Sequence, residues 1–481
     1  MRPASRWVAG VAFATAPLAG GCGASVEPPP PPPATPPAIT RILPESVSAR
    51  YGAFTLTVEG DGFRPTAVVQ WDGASRPTLV ESATRAVASI PAEDAVRARR
   101  VQISVRNPSP DSGTSYPAPF SVVAPAVTRQ VALPLAGQDI VYDPRRDVLY
   151  ASVGSQVFPD VGRLVVIDPR SGGVVSSTVV GPGPGPLALS DDGQFLYVVV
   201  NGASLVKRFD LVSGAPAVDI PLGSEAPDRP YGADDIVVLE GAPRSFAVAR
   251  KHVGLFVGSV DVAVFDGEVQ RPLTSAVGCD RIERSGDPAL LYGYQSHNSG
   301  GGFHWLAIRP DGVVQSRVAY DLLPRYASDI IWYGGRLYAT DGTVVDPEAR
   351  TVIARLSGVE PRTAVPDSLS GRLFFLSLFA NTDWGSLTAF DLRTLDVIDG
   401  VTVVPASSYE YAYPRALRRW GDDGLAYVTG RDVVLLQTTL VRPRSYGAAP
   451  GRTAARTASR SGVPPGSPAS RRQKPGEAVE R

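Results

Sequence analysis

The chain reads as an all-β protein, a small two-sheet sandwich followed by a ring of short repeated sheets. Three observations lead there. Gly (48) and Pro (46) make up about a fifth of the 481 residues, punctuation that opposes long helices and favours short strands joined by turns. Residues 39–123 alternate apolar and polar positions between closely spaced turns. From 128 to 440 similar units open at intervals of roughly 34 to 53 residues, the length of four short strands and their turns.

The 47 Lys+Arg residues balance 47 Asp+Glu. Zero net charge argues against a nucleic-acid partner, whose binding depends on phosphate neutralisation. Only Lys207, Lys251 and Lys474 are lysines, an Arg preference that reads as coding bias. The length allows two or three domains with their own cores.

Residues 1–21 have the parts of an export signal: Arg2 and Arg6, an apolar run from Trp7 to Leu18, and the small residues Ala19-Gly20-Gly21. Twelve residues at a helical rise reach about 18 Å, short of a hydrocarbon core of about 30 Å. Cys22 follows directly. Leu18-Ala19-Gly20-Gly21-Cys22-Gly23 resembles the lipobox of bacterial lipoproteins, with Ala19 where the family usually has Leu. The resemblance implies acylation of Cys22 and an outer-membrane lipoprotein of the cell envelope. Residues 22–38 form a linker whose run Pro28–Pro33 predicts a stiff polyproline II spacer. The second cysteine, Cys279, reads as a buried structural thiol.

In the first domain Phe54, Leu56 and Val58 alternate inward, as do Val69 and Trp71, and Val101, Ile103 and Val105. The length suits an immunoglobulin-like sandwich without a disulfide. Gly60 and Gly62 predict a bend or bulge after a strand, with Phe63 re-entering the core. The ordered series Ile42-Leu43-Pro44, Thr55 to Phe63, Val69-x-Trp71-x-Gly73, Ile90-Pro91-Ala92, Val101 to Pro108 and Phe120-Ser121-Val122 resembles the IPT/TIG domain over nearly all of 39–123. That family implies a seven-strand immunoglobulin-like fold used as a spacer or binding module in exported proteins.

In the second domain, 128–440, the segments 138–153 and 186–200 open two units, and further openings fall near Ala233, Asp280, Ser328, Thr363 and Arg415. Seven openings predict a seven-bladed β-propeller. The last unit has room for three strands, so 128–135 is expected to pair with 431–438 and close the ring, which removes two open edges. The innermost strands are expected to be the most apolar. The turns at Asp143–Asp147, Ser190–Gly193 and Gly421–Gly424 read as hairpin corners. Leu196-Tyr197-Val198 after Asp191-Asp192-Gly193, and Leu373-Phe374-Phe375 with Leu387 to Asp391, resemble the YVTN-type repeats of bacterial propellers. The tail 441–481 is basic and without apolar periodicity, which predicts disorder.

Chemistry-bearing motifs are sparse. The sequence holds no GxSxG elbow, CxxC pair or HxxxH spacing. Asp191-Asp192-Gly193 lacks the remaining ligands of a calcium loop. The prolines of Gly181–Pro186 remove the amides a phosphate loop needs, so that segment reads as a connection between blades. No catalytic residue, metal ligand or cofactor is therefore assigned. Tyr292, Tyr294, His297, His304 and Trp305 combine aromatics and His beside a glycine run, and form the candidate ligand-contact loop. The expected function is that of an exported, lipid-anchored envelope protein that binds a surface protein or glycan through its propeller face without catalysis. The alternative is a lactonase-type propeller hydrolase with an acidic site at the channel mouth.

Overall fold

The computed structural model describes residues 35–49, 52–109, 113–155, 161–254, 258–296, 302–324, 329–356, 363–378, 384–405 and 413–441. Cys22, His297, the leader, most of the linker and the basic tail lie outside them. Among the described residues the regular structure is strand, apart from two 3₁₀ turns at Ala92–Ala95 and Asn201–Ala203.

The N-terminal region forms two sheets over one core. Ala38–Leu43, Phe54–Asp61, Arg85–Ile90 and Thr78–Ser82 make one sheet. Ser46–Ser48, Ala118–Val123, Arg99–Asn107 and Val68–Trp71 are the main strands of the other. Leu56, Val58, Val69, Ile103 and Val105 are fully buried, and Trp71 packs against Phe54 and Phe120 with ring centroids 6.0 and 5.4 Å apart. Gly60 is required sterically, because a Cβ there would lie 1.9 Å from the Ala38 carbonyl oxygen. Gly62 has φ +73°, and Phe63 follows it into the core.

Seven sheets of four or five strands follow. Their first strands are Gly137–Asp143, Pro184–Leu189, Arg229–Val238, Arg281–Arg284, Ile330–Tyr333, Thr363–Asp367 and Ala416–Trp420. In the third sheet the short strand Ser224–Ala226 also pairs with the start of Arg229–Val238. Each first strand touches the next, and that of the seventh sheet touches that of the first, so the ring is closed around an axial channel. The larger region is a β-propeller.

The latch pairs Val127–Leu133 antiparallel with Val433–Thr438, from Val127 opposite Thr438 to Leu133 opposite Val433. This is the pairing the strand deficit of the last unit predicts. Leu425, Tyr427, Val434 and Leu436 beneath it are fully buried.

The innermost strands depart from expectation. Full burial falls one strand further out, as in Phe195–Val200, where every residue is buried. The first strands alternate between buried and half-buried, and two are strongly charged, Arg281–Arg284 and Ala416–Trp420. One side of each first strand faces the channel, so only the side packed between sheets must be apolar.

The turns at one end of the ring are short and share one device. Asp143, Asp168, Asp210, Asp346, Asp367 and Asp391 each accept the N–H two residues on, at 2.8–3.1 Å. This is the Asx turn, in which a short carboxylate replaces a backbone acceptor.

Candidate functional site

The axial channel encloses about 1020 Å³ and is walled by the first strands of the sheets. Its builders form a pattern: Asp139-Ile140 and Asp235-Ile236 lie within the first strands of the first and third sheets, and Asp329-Ile330 stands at the start of that of the fifth. In each pair the Ile is buried between sheets while the Asp accepts that Ile's own N–H at 2.7–2.9 Å. The second oxygen of Asp139 accepts the N–H of Leu187, and that of Asp235 the N–H of Ile282, both at 2.9 Å. These donors belong to the equivalent position of the following sheet. Two carboxylates therefore staple neighbouring sheets by satisfying backbone amides that face the channel.

The charges on the wall are unevenly placed. Asp235, Glu283 and Asp329 come from the third, fourth and fifth sheets, with Arg281 among them, its Nε 3.7 Å from Asp329. Crowding by surrounding protein, then repulsion from Asp329, pushes the Asp235 carboxyl up to about 8, with Arg281 opposing. Burial, with repulsion from Asp329 and Asp235, likewise pushes Glu283 up to about 8. Asp329 is raised by the same desolvation, against the pull of Arg281. Its side chain keeps 39% exposure, so channel water offsets part of that cost. Desolvation alone would lower Arg281, but Asp329, Asp235 and their neighbours outweigh it and hold the guanidinium charged.

The seventh sheet supplies the opposite wall. Arg418 follows the buried Leu417 just as Glu283 follows the buried Ile282, so the two occupy equivalent positions on opposing sides of the ring. Arg418 lies 3.6 Å from Asp139 and is 39% exposed. Arg415, exposed at the channel, donates to the side chain of Gln138, and desolvation by the surrounding protein lowers its pKa, in part offset by that exposure.

The two ends of the channel differ. At the end of the short turns, Arg284 of the fourth sheet forms an ion pair with Asp191 in the second, spanning the third. Arg419 pairs with Asp367 at 3.0 Å, and Arg146 donates to the carbonyls of Gly193 and Leu211. The strand connections at the other end include some, such as 295–302, 320–329 and 404–415, that are longer in sequence than the turns opposite, beside short ones at 182–183, 201–204, 340–342 and 429–432. Tyr320 and Trp384 in these connections are 65% and 50% exposed.

The sequence-predicted residues fall elsewhere. Tyr292, Tyr294, His304 and Trp305 lie in paired strands of the fourth sheet, and each is at least 98% buried. The Tyr292 hydroxyl donates to Glu348 at 2.9 Å, the Tyr294 hydroxyl donates to the Pro324 carbonyl at 2.5 Å, and Trp305 packs edge-on to Phe303. His304 meets Gln315 at 3.1 Å, and burial lowers its pKa. These four are core residues and not a contact loop: alternation puts the rings of Tyr292, Tyr294 and Trp305 between the fourth and fifth sheets and turns His304 to the opposite side of its sheet. Cys279 is fully buried, its thiol pushed up by burial and by Asp280. Asp192 accepts from Ser190 and from the Gln194 N–H, as a hairpin corner does. Gly181–Pro186 joins the first and second sheets. No group of three or more His, Cys, Asp or Glu among the described residues is placed to hold a metal ion. The residues that sequence reasoning missed are the channel charges. Their available signal was the Asp-Ile pair recurring at 139, 235 and 329, twice the repeat length apart.

No family model matches the sequence, and no curated protein does. Several solved structures are similar in fold. The β-propeller domain of Cps50 (Swd1) from Myceliophteria thermophila is 11% identical, with 64% of this chain and 98% of that one covered and a TM-score of 0.45. An auxiliary nutrient-binding protein from Bacteroides thetaiotaomicron is 10% identical over 85% of this chain and 99% of that one, TM-score 0.37. AztD from Citrobacter koseri is 14% identical over 69% and 86%, TM-score 0.38.

Proposed function

We propose that the chain is an exported, lipid-anchored envelope protein whose seven-bladed propeller binds a partner through the face bearing the long connections. The observation that carries this reading is the inequality of the two channel ends, one crossed by Arg284–Asp191, the other bearing the exposed aromatics Tyr320 and Trp384. Binding residues concentrate on loops held by a rigid frame. The two-sheet region acts as an IPT/TIG-type immunoglobulin-like spacer, supported by its shared core and the Gly60–Phe63 bend. Cys22 and the proline run would hold both off the membrane.

A lactonase-type hydrolase is the second reading, favoured by the gathering of Asp235, Glu283 and Asp329 in the channel. Binding fits better. Asp235 spends both oxygens on backbone amides, and Glu283 accepts its neighbour's N–H, which leaves no positioned nucleophile and base.

Cys22→Ala should move the protein from the membrane fraction to the soluble exported fraction. Retention of the variant in the membrane fraction would remove the anchor. A lactone-hydrolysis assay on the same preparation, with turnover abolished by Glu283→Gln, would replace the binding reading with the hydrolase.

A further inference from the structure

The third to fifth sheets gather carboxyls on the channel wall, whereas the seventh brings Arg415 and Arg418, the latter beside Asp139. We infer that the channel is a binding site for a zwitterionic ligand of the short-peptide class, its ammonium on the acidic wall and its carboxylate on the basic one. This rests on the reading of the propeller as a binding module and names what its channel takes.

The argument is one of placement. In a closed ring of seven sheets the seventh stands opposite the third and fourth. Glu283 and Arg418 occupy equivalent strand positions on these opposed sheets, both half-buried and both lining the channel. Around Glu283 stand Asp235 and Asp329, three carboxylates against the single guanidinium of Arg281. A bound ammonium would relieve that excess, because an added cation beside crowded carboxylates favours their charged forms. Beside Arg418 stands Arg415, whose side chain meets the Gln138 amide oxygen and, among the described residues, forms no ion pair. A ligand carboxylate would supply that charge, with the fork geometry guanidinium groups favour.

A single anion would meet only the seventh-sheet arginines, and a simple cation only the carboxyls of the opposite wall. A ligand with both charges at its two ends satisfies both walls. The enclosed volume of about 1020 Å³ accommodates a few amino-acid residues, within the range usual for organic ligands. The channel end crossed by Arg284–Asp191 makes the opposite mouth the route of entry.

The test is calorimetric titration of the purified full chain with triglycine, N-acetyl-triglycine and triglycine amide at pH 7. Triglycine should bind with a dissociation constant below about 1 mM, and each blocked form at least about tenfold more weakly. Glu283→Gln and Arg415→Gln should each weaken triglycine about tenfold, with thermal unfolding checked alongside. Arg415 is exposed and its side chain donates to Gln138, so its replacement should leave the fold intact. Absence of triglycine binding overturns the inference, as does equal binding of either blocked form. Neither result touches membrane anchoring, which the Cys22→Ala fractionation tests separately.

Discussion

The two faces of the propeller use carboxylates in opposite ways. On the short-turn face the strand-ending aspartates serve their own hairpins, although Asp367 also meets Arg419 of the next sheet: Asp391 accepts the N–H groups of Arg393 and Thr394, both at 2.8 Å. On the channel side, Asp139 and Asp235 reach to the next sheet. A turn aspartate is a local device whose loss is confined to that turn. A channel aspartate ties together strands about 47 residues apart in sequence, so the neighbouring sheet feels its loss. The same chemical group thus shapes one face and assembles the other.

The comparison can be broken most severely at the latch, on which both faces depend. Leu436→Ala removes a fully buried side chain from the closing sheet and should cost about 2–5 kcal/mol in urea unfolding. A loss below about 1 kcal/mol would mean the ring tolerates an open seam. Next comes Asp235→Ala, which strips acceptors from the N–H groups of Ile236 and Ile282. It should cost about 1–3 kcal/mol and speed amide exchange at Ile282, across the sheet boundary. Unchanged exchange there would dissolve the staple.

The faces should also respond oppositely to pH. Asp235 and Glu283 are raised to about 8 in the fold, against about 4 unfolded. The native state therefore binds more protons in that interval, and stability falls as pH rises from about 4 to 8. Asp210 on the short-turn face is held down to about 2, chiefly by the Ser213 N–H. Its contribution is present above about pH 4 and is lost as pH falls towards 2. Melting scans from pH 5 to 8 should show a decline that the double variant Asp235→Asn/Glu283→Gln flattens. A slope equal to that of wild type would contradict the raised carboxyls. The smallest effect belongs to Asp391→Ala, about 0.5–1 kcal/mol, with amide exchange altered only within residues 391–396. A change reaching another sheet would erase the distinction between the two uses.

Much of this architecture was legible in the chain. The missing strand of the last unit pointed to 128–135 as the partner of 431–438, and the turns at Asp143–Asp147, Ser190–Gly193 and Gly421–Gly424 read as corners, because both signals are local or a matter of counting. The aromatic segment Tyr292–Trp305 misled, since composition alone does not say which way a ring points. Alternation along Leu290–Tyr294 and Phe303–Arg309 turned the large rings into the gap between sheets. The charged channel strands were equally opaque. Arg281–Arg284 and Ala416–Trp420 look like exposed edges until the ring puts them on its axis.

What the sequence determined by itself was the all-strand character, the repeat length, the corner residues and the end-to-end latch. Each follows from alternation, turn chemistry or strand number within one unit. Only the tertiary structure decided which charges face one another. Glu283 and Arg418 are 135 residues apart in the chain, and closing the ring is what sets them on opposing walls of one channel. Side-chain electrostatics at that distance depends on position in space, which no local pattern of residues encodes.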